Sequence, residues 1–195
     1  MRYVVGISGA SGSALARAAV ERLDALGHEV VVVATQPARE VWRQEIGGPF
    51  AEWQGRLGRR GVRFFDASDF AAPIASGSYP VDGMIVIPCS VGTVAAIAQG
   101  NAANLLQRAA DCAIKEGRRL VLVPREAPLS PIHLENLLKL ARLGVRIVPP
   151  VPAFYARPRT LDEVVDQIAG RALASLGVPN ALDARFIYEG ASNDD

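Results

Sequence analysis

The segment Glu29-Val30-Val31-Val32-Val33-Ala34 leaves the chain few options. Consecutive β-branched side chains favour a strand and point alternately to its two faces, so both faces must be covered. Apolar runs of similar length recur at 3–8, 62–65, 83–88, 119–123 and 145–148. Between them lie stretches with apolar residues at helical spacing: 11–26 (Leu15, Ala18, Ala19, Leu23, Leu26), 37–46, 90–98, 102–116 and 130–143. A last helix runs from the Thr160-Leu161-Asp162-Glu163 capping-box pattern to about Leu176. Gly27 stands where a first helix would end, and Pro37 near the start of a second. Strands alternating with helices predict an α/β architecture: six strands in a mainly parallel sheet, with helices on both faces. Residues 47–61, with Gly47-Gly48-Pro49 and scattered charge, are expected to be an irregular excursion, and 66–80 a turn-rich connection. A single domain over 1–195 accommodates all of this.

Composition narrows the function classes. With 21 Lys and Arg against 20 Asp and Glu, the net charge is +1 and the signs are interspersed. That gives no basic field for nucleic acid. No apolar run reaches the roughly 20 residues of a membrane span. Cys89 and Cys112 are far apart, so neither a disulfide framework nor a metal site is implied. The N-terminus enters a strand pattern directly and lacks a leader pattern. The cytoplasm is the expected location.

In a parallel sheet, ligands gather beyond the carboxyl ends of the strands. Four loops meet there: 8–13, 34–37, 88–93 and 124–130. Gly6-Ile7-Ser8-Gly9-Ala10-Ser11-Gly12 joins a strand to a helix. Its glycines let a backbone approach a ligand, and the helix start offers N–H groups to an anion. A tight turn with no ligand fits the same residues. The spacing matches neither a Walker loop nor the full dinucleotide fingerprint. Pro88-Cys89-Ser90-Val91-Gly92-Thr93 presents two hydroxyls at a helix start, suited to an anion or to plain N-capping by Ser90. Cys89 has no nearby base to make it a nucleophile. Val123-Pro124-Arg125-Glu126-Ala127-Pro128 holds a fork for phosphate beside a proton carrier, or else a surface ion pair. Pro152-Ala153-Phe154-Tyr155-Ala156-Arg157-Pro158 offers an aromatic wall for a ligand or an anchor for the last helix. Arg108, Lys115 and Arg171, on predicted helices, are solvated cations if taken alone. His28 and His133 form no metal constellation.

Taken together these segments resemble the UbiX-type flavin prenyltransferases, partners of UbiD-type decarboxylases. Besides the loops above, the likeness runs through Ala75-Ser76-Gly77-Ser78, then Arg108-Ala109-Ala110-Asp111 to Leu129, then Ile132-His133-Leu134-Glu135-Asn136. It covers nearly the whole chain and is weakest at 47–61. The resemblance implies a Rossmann-like, flavodoxin-related three-layer fold and a homo-oligomer, commonly a dodecamer. It implies transfer of a dimethylallyl group from dimethylallyl phosphate to N5 and C6 of reduced FMN. The prenylated FMN passes to a UbiD-type decarboxylase, and no metal is expected. By position it places Gly9, Ala10, Ser11, Thr35, Ser90, Thr93 and Arg125 at the flavin, with Ser11 beside N5. Arg108, Lys115, Arg125, Tyr155 and Arg171 match the donor-phosphate set, several supplied across subunit interfaces. Ser11, Lys115 and the acid–base residue Glu126 are the implied catalytic groups.

Three positions depart from the family pattern. Gln36 stands where many members carry Lys, Phe186 where many carry Trp, and Ser13-Ala14-Leu15-Ala16 replaces a more glycine- and aromatic-containing helix start. They bear on affinity and donor preference. Two rivals share the fold: a flavin-dependent cysteine decarboxylase of the phosphopantothenoylcysteine type, and a flavin carrier without catalysis. The first requires a catalytic His in the first half, where only His28 stands. The second does not explain an intact cationic set. A nicotinamide-binding domain lacks its ribose acid, since Thr35-Gln36 follows the second strand.

Overall fold

The structure, a computed structural model, describes residues 1–188. Six strands form one sheet: β1 (Arg2–Ile7), β2 (Glu29–Ala34), β3 (Arg63–Asp66), β4 (Gly83–Cys89), β5 (Arg119–Pro124) and β6 (Arg146–Ile147). Every pairing is parallel, in the order β3-β2-β1-β4-β5-β6. Parallel neighbours need crossovers. These come from α1 (Ser13–Ala25), α2 (Gln36–Ile46), α3 (Phe50–Gly58), α4 (Val91–Ala98), α5 (Leu105–Lys115) and α6 (Pro131–Arg142); α7 (Leu161–Leu176) follows β6. The chain winds outward from β1 in one direction, returns, and winds from β4 in the other. The order reverses between β1 and β4, which opens a crevice at their carboxyl ends.

The valine run shows why the sheet must be covered twice. Val30 and Val32 join Val5, Ile7 and the apolar faces of α1, α2, α3 and α7. Val31 and Val33 join Val4, Val86 and the faces of α4, α5 and α6 on the other side. Val31, Val32 and Val33 have no exposed surface at all.

Residues 47–61 are not an irregular excursion. They contain α3, which buries Phe50, Trp53 and Leu57 at positions i, i+3 and i+7. Those side chains form an aromatic box with Trp42 and Phe64, with ring centroids 4.5–6.2 Å apart. Packing of that stripe outweighs the poor helix propensity of Gly55 and Gly58. The cap of α7 also differs from expectation. The Thr160 hydroxyl accepts the Glu163 N–H at 3.2 Å, but Glu163 reaches back to the N–H of Arg159. A full capping box occurs instead on α6. There Ser130 accepts the His133 N–H, and His133 Nδ1 accepts the Ser130 N–H.

Candidate active site at the strand-order reversal

The loops after β1 and β4 are locked together by one buried hydroxyl. Ser8 donates from Oγ to the Pro88 carbonyl at 3.1 Å and accepts the Ser90 N–H at 2.7 Å. Its own N–H also reaches Pro88 O, at 3.2 Å. The Ile87–Pro88 peptide bond is cis. Ser90 caps α4, accepting the Thr93 N–H and donating to the Thr93 hydroxyl at 3.0 Å. Beyond this cap, the first N–H groups of α4 have no carbonyl within the helix to bond. A Cβ on Gly92 would meet nothing within 4 Å, so an anion has room there.

The α1 end is different, because a side chain of the protein already fills it. Glu45, from the last turn of α2, accepts the Gly12 N–H at 3.0 Å and the Ser13 N–H at 2.7 Å. Burial pushes its carboxyl up, but hydrogen bonds from Ser11, Ser13 and Gly12 prevail and hold it below the usual carboxylate range. Two N–H groups of the loop expected to cradle phosphate are therefore committed to a carboxylate. Gly12 adopts a φ of 122°, which an L side chain adopts only with strain. A Cβ on Gly9 would fall on the Pro37 ring, so that glycine is required by helix α2 whether or not a ligand is bound. Nothing in the sequence marks Glu45 as part of this loop. It stands on a helix with no motif around it, and only the fold brings α2 against the start of α1.

The remaining expected residues fall into three places. Thr35 caps α2 through its hydroxyl, which accepts the Ala38 N–H at 3.3 Å. Arg125 and Glu126 follow β5 at the same sheet edge, tied there by the Arg125 N–H to Cys89 O at 3.1 Å. Glu126 accepts the Ala127 N–H at 3.1 Å. With Gly9, Ala10, Ser11, Ser90 and Thr93, these make one cluster around the crevice. Tyr155 and Arg171 line a second space, a cavity of about 710 Å³ between the 151–156 segment, α7 and residues 178–188. Arg108 and Lys115 stand apart from both. Arg108 binds the Ala75 carbonyl at 2.9 Å and Asp111 at 2.7 Å. Lys115 ends α5, four residues before β5 begins, and pairs with Glu116. It lies at the amino edge of the sheet, about 17 Å of strand away from Arg125. Cys89 is buried, which drives its thiol far up and makes it a poor nucleophile. His28 precedes β2 at the amino edge, edge-on to Tyr3 at 5.3 Å and remote from the crevice.

The Flavoprotein family model matches residues 1–173. The flavin prenyltransferase UbiX of Halalkalibacterium halodurans is 45% identical over 195 residues, 94% of this chain and 92% of that protein. The chain belongs to the UbiX flavin prenyltransferase family. Two solved structures bear on the site. AnUbiX in complex with FMN and dimethylallyl pyrophosphate superposes with a TM-score of 0.90 at 37% identity, covering 98% of each chain. A dodecameric FMN-dependent UbiX-like decarboxylase from Escherichia coli O157:H7 superposes with a TM-score of 0.86 at 43% identity, covering 91% of this chain and 96% of that one. The family fold is the doubly wound one seen here.

Proposed function

We propose that this chain prenylates reduced FMN at N5 and C6, using dimethylallyl phosphate, to supply a UbiD-type decarboxylase. The observation that carries the reading is the convergence of Ser11, Thr35, Ser90, Thr93, Arg125 and Glu126 at the β1/β4 reversal in a chain of this family. Because Glu45 fills the start of α1, the flavin phosphate belongs at the start of α4, under Ser90 and Thr93. Gly9, Ala10 and Thr35 then border the ring, with Ser11 toward N5. The flavin supplies two nucleophilic atoms, N5 and C6.

The protein's part is to hold the donor and move protons. Arg125 and Arg171, with Arg108 and Lys115 of a neighbouring copy, neutralise phosphate as the allylic C–O bond breaks, and Tyr155 turns its hydroxyl from the Phe186 carbonyl to a phosphate oxygen. Separation of Lys115 from Arg125 within one protomer supports this sharing, and we place the working unit in a homo-oligomer, a dodecamer as in the related structure. Glu126 protonates the leaving phosphate oxygen and accepts the proton lost from C6 on ring closure. No helix among the described residues is long and apolar enough to cross a membrane, and both cysteines are free. We place the enzyme in the cytoplasm. The test is mass spectrometry of the flavin after incubation of purified protein with reduced FMN and dimethylallyl phosphate or pyrophosphate. The expected product is heavier by one dimethylallyl group. Unmodified FMN with both donors overturns the reading.

A further inference from the structure

Five polar side chains are buried among the described residues: Ser8, Ser13, Thr93, Asn136 and Gln167. The first three belong to the crevice just described, and Asn136 accepts a hydrogen bond from Gln99 at 3.2 Å. Gln167 is 4% exposed, on the face of α7 that lines the Tyr155–Arg171 cavity. Its carboxamide is spent entirely on one residue. Oε1 accepts the Ala153 N–H at 2.9 Å, and Nε2 donates to the Ala153 carbonyl at 3.2 Å. A strand neighbour would engage a backbone in this way, but the 149–160 segment has no strand neighbour and only a short 3₁₀ turn, Phe154–Ala156. An apolar side chain would fill the same space without satisfying either backbone group.

The position of this clamp gives it a use. Tyr155 follows Ala153 by two residues, and Arg171 follows Gln167 by one helical turn, on the same face. The Tyr155 hydroxyl is held from the other side, donating to the Phe186 carbonyl at 3.1 Å, and its ring meets Tyr188 edge-on at 5.4 Å. The titratable groups lining the cavity are Arg171, Tyr155 and Tyr188. We infer that Gln167 is a positioning residue for the prenyl donor: it fixes the spacing between Tyr155 on its loop and Arg171 on its helix. The inference rests on the reading of those two residues as donor-phosphate ligands. A two-point clamp on a single residue leaves the loop little freedom to slide along α7, so the donor meets a formed site.

The experiment measures donor KM, kcat and FMN affinity in Gln167→Met, Tyr155→Phe and the double variant. Gln167→Met keeps the volume and removes both hydrogen bonds. The expected result is a rise of about tenfold in donor KM, with kcat and FMN affinity within about twofold. The double variant should match Tyr155→Phe alone, because one residue acts through the other. Additive effects, or an unchanged KM in Gln167→Met, overturn the inference. An unchanged KM in Tyr155→Phe overturns instead the donor-site reading beneath it. Gln167→Glu serves if the Met variant does not fold. Protonated, it restores both bonds to Ala153; ionised, it opposes the carbonyl. Its KM relative to the unsubstituted enzyme should fall as pH is lowered, and a ratio flat with pH counts against the clamp.

Discussion

The Glu45 carboxylate takes the place of a bound anion at the start of α1, accepting the Gly12 and Ser13 N–H groups. Its pKa is lowered, so its contribution is present above the ordinary carboxylate range and is lost as pH falls through the lowered folded value. The Gly12 and Ser13 amide signals in an NMR titration should therefore move together with an acidic midpoint. In Glu45→Gln that movement should vanish, and its persistence would assign it to another acid. Cys89 gives the opposite case. Burial raises its thiol, so the folded enzyme should resist alkylation at neutral pH and react at Cys89 only after unfolding, as peptide mapping would show. The inertness of Cys89 was legible in the sequence, because no base lay near it. Glu45 was not legible: its meaning comes from a helix crossing that no local pattern encodes.

At the scale of elements, local patterns were most readable where one residue type serves one purpose. The valine run, the proline near the start of α2 and the Ser90 cap all stand as expected. Helix α3 was hidden because Gly47, Gly48 and Pro49 break the chain just before it, while its stabilisation comes from distant Trp42 and Phe64. Trp53 is 6% exposed and donates from Nε1 to Glu21 at 3.0 Å. Trp53→Ala should cost about 3–5 kcal/mol by denaturant unfolding, as for other buried aromatics. A loss below about 1 kcal/mol would mean that α3 is an ornament on the fold. The Ala75–Ser78 loop is pinned to α5 through Arg108 and Cys112 on Ala75 O, and to the turn after α5 through Arg118 on Gly77 O. The atoms nearest a Cβ on Gly77 would be the side-chain ends of Lys115 and Glu116. Its φ is not in the left-handed region, so Gly77→Ala should leave unfolding free energy within about 1 kcal/mol. The same substitution should weaken the donor several-fold by displacing Lys115, with FMN affinity unchanged. Equal weakening of both would remove Lys115 from the donor site.

The whole molecule poses a question that the single chain leaves open in space: how Lys115, at the amino edge of the sheet, would reach the proposed donor site beside Arg125 at the carboxyl edge. The sheet is rigid, and no side chain spans the length of β5, so within one protomer the two cannot meet. A neighbouring copy can bring one to the other, and a contact between unlike surfaces repeats around a closed ring. The resemblance assigns both residues to one site, yet the distance between them appears only once β5 is drawn between them. Complementation separates the two arrangements. Lys115→Ala and Arg125→Ala, each inactive alone, are dissociated, mixed in equal amounts and reassembled. If each site draws Lys115 from one copy and Arg125 from another, about one site in four in the mixture is intact, and that share of activity should return. If both residues served a site within their own chain, every site would carry one lesion and the mixture would stay inactive.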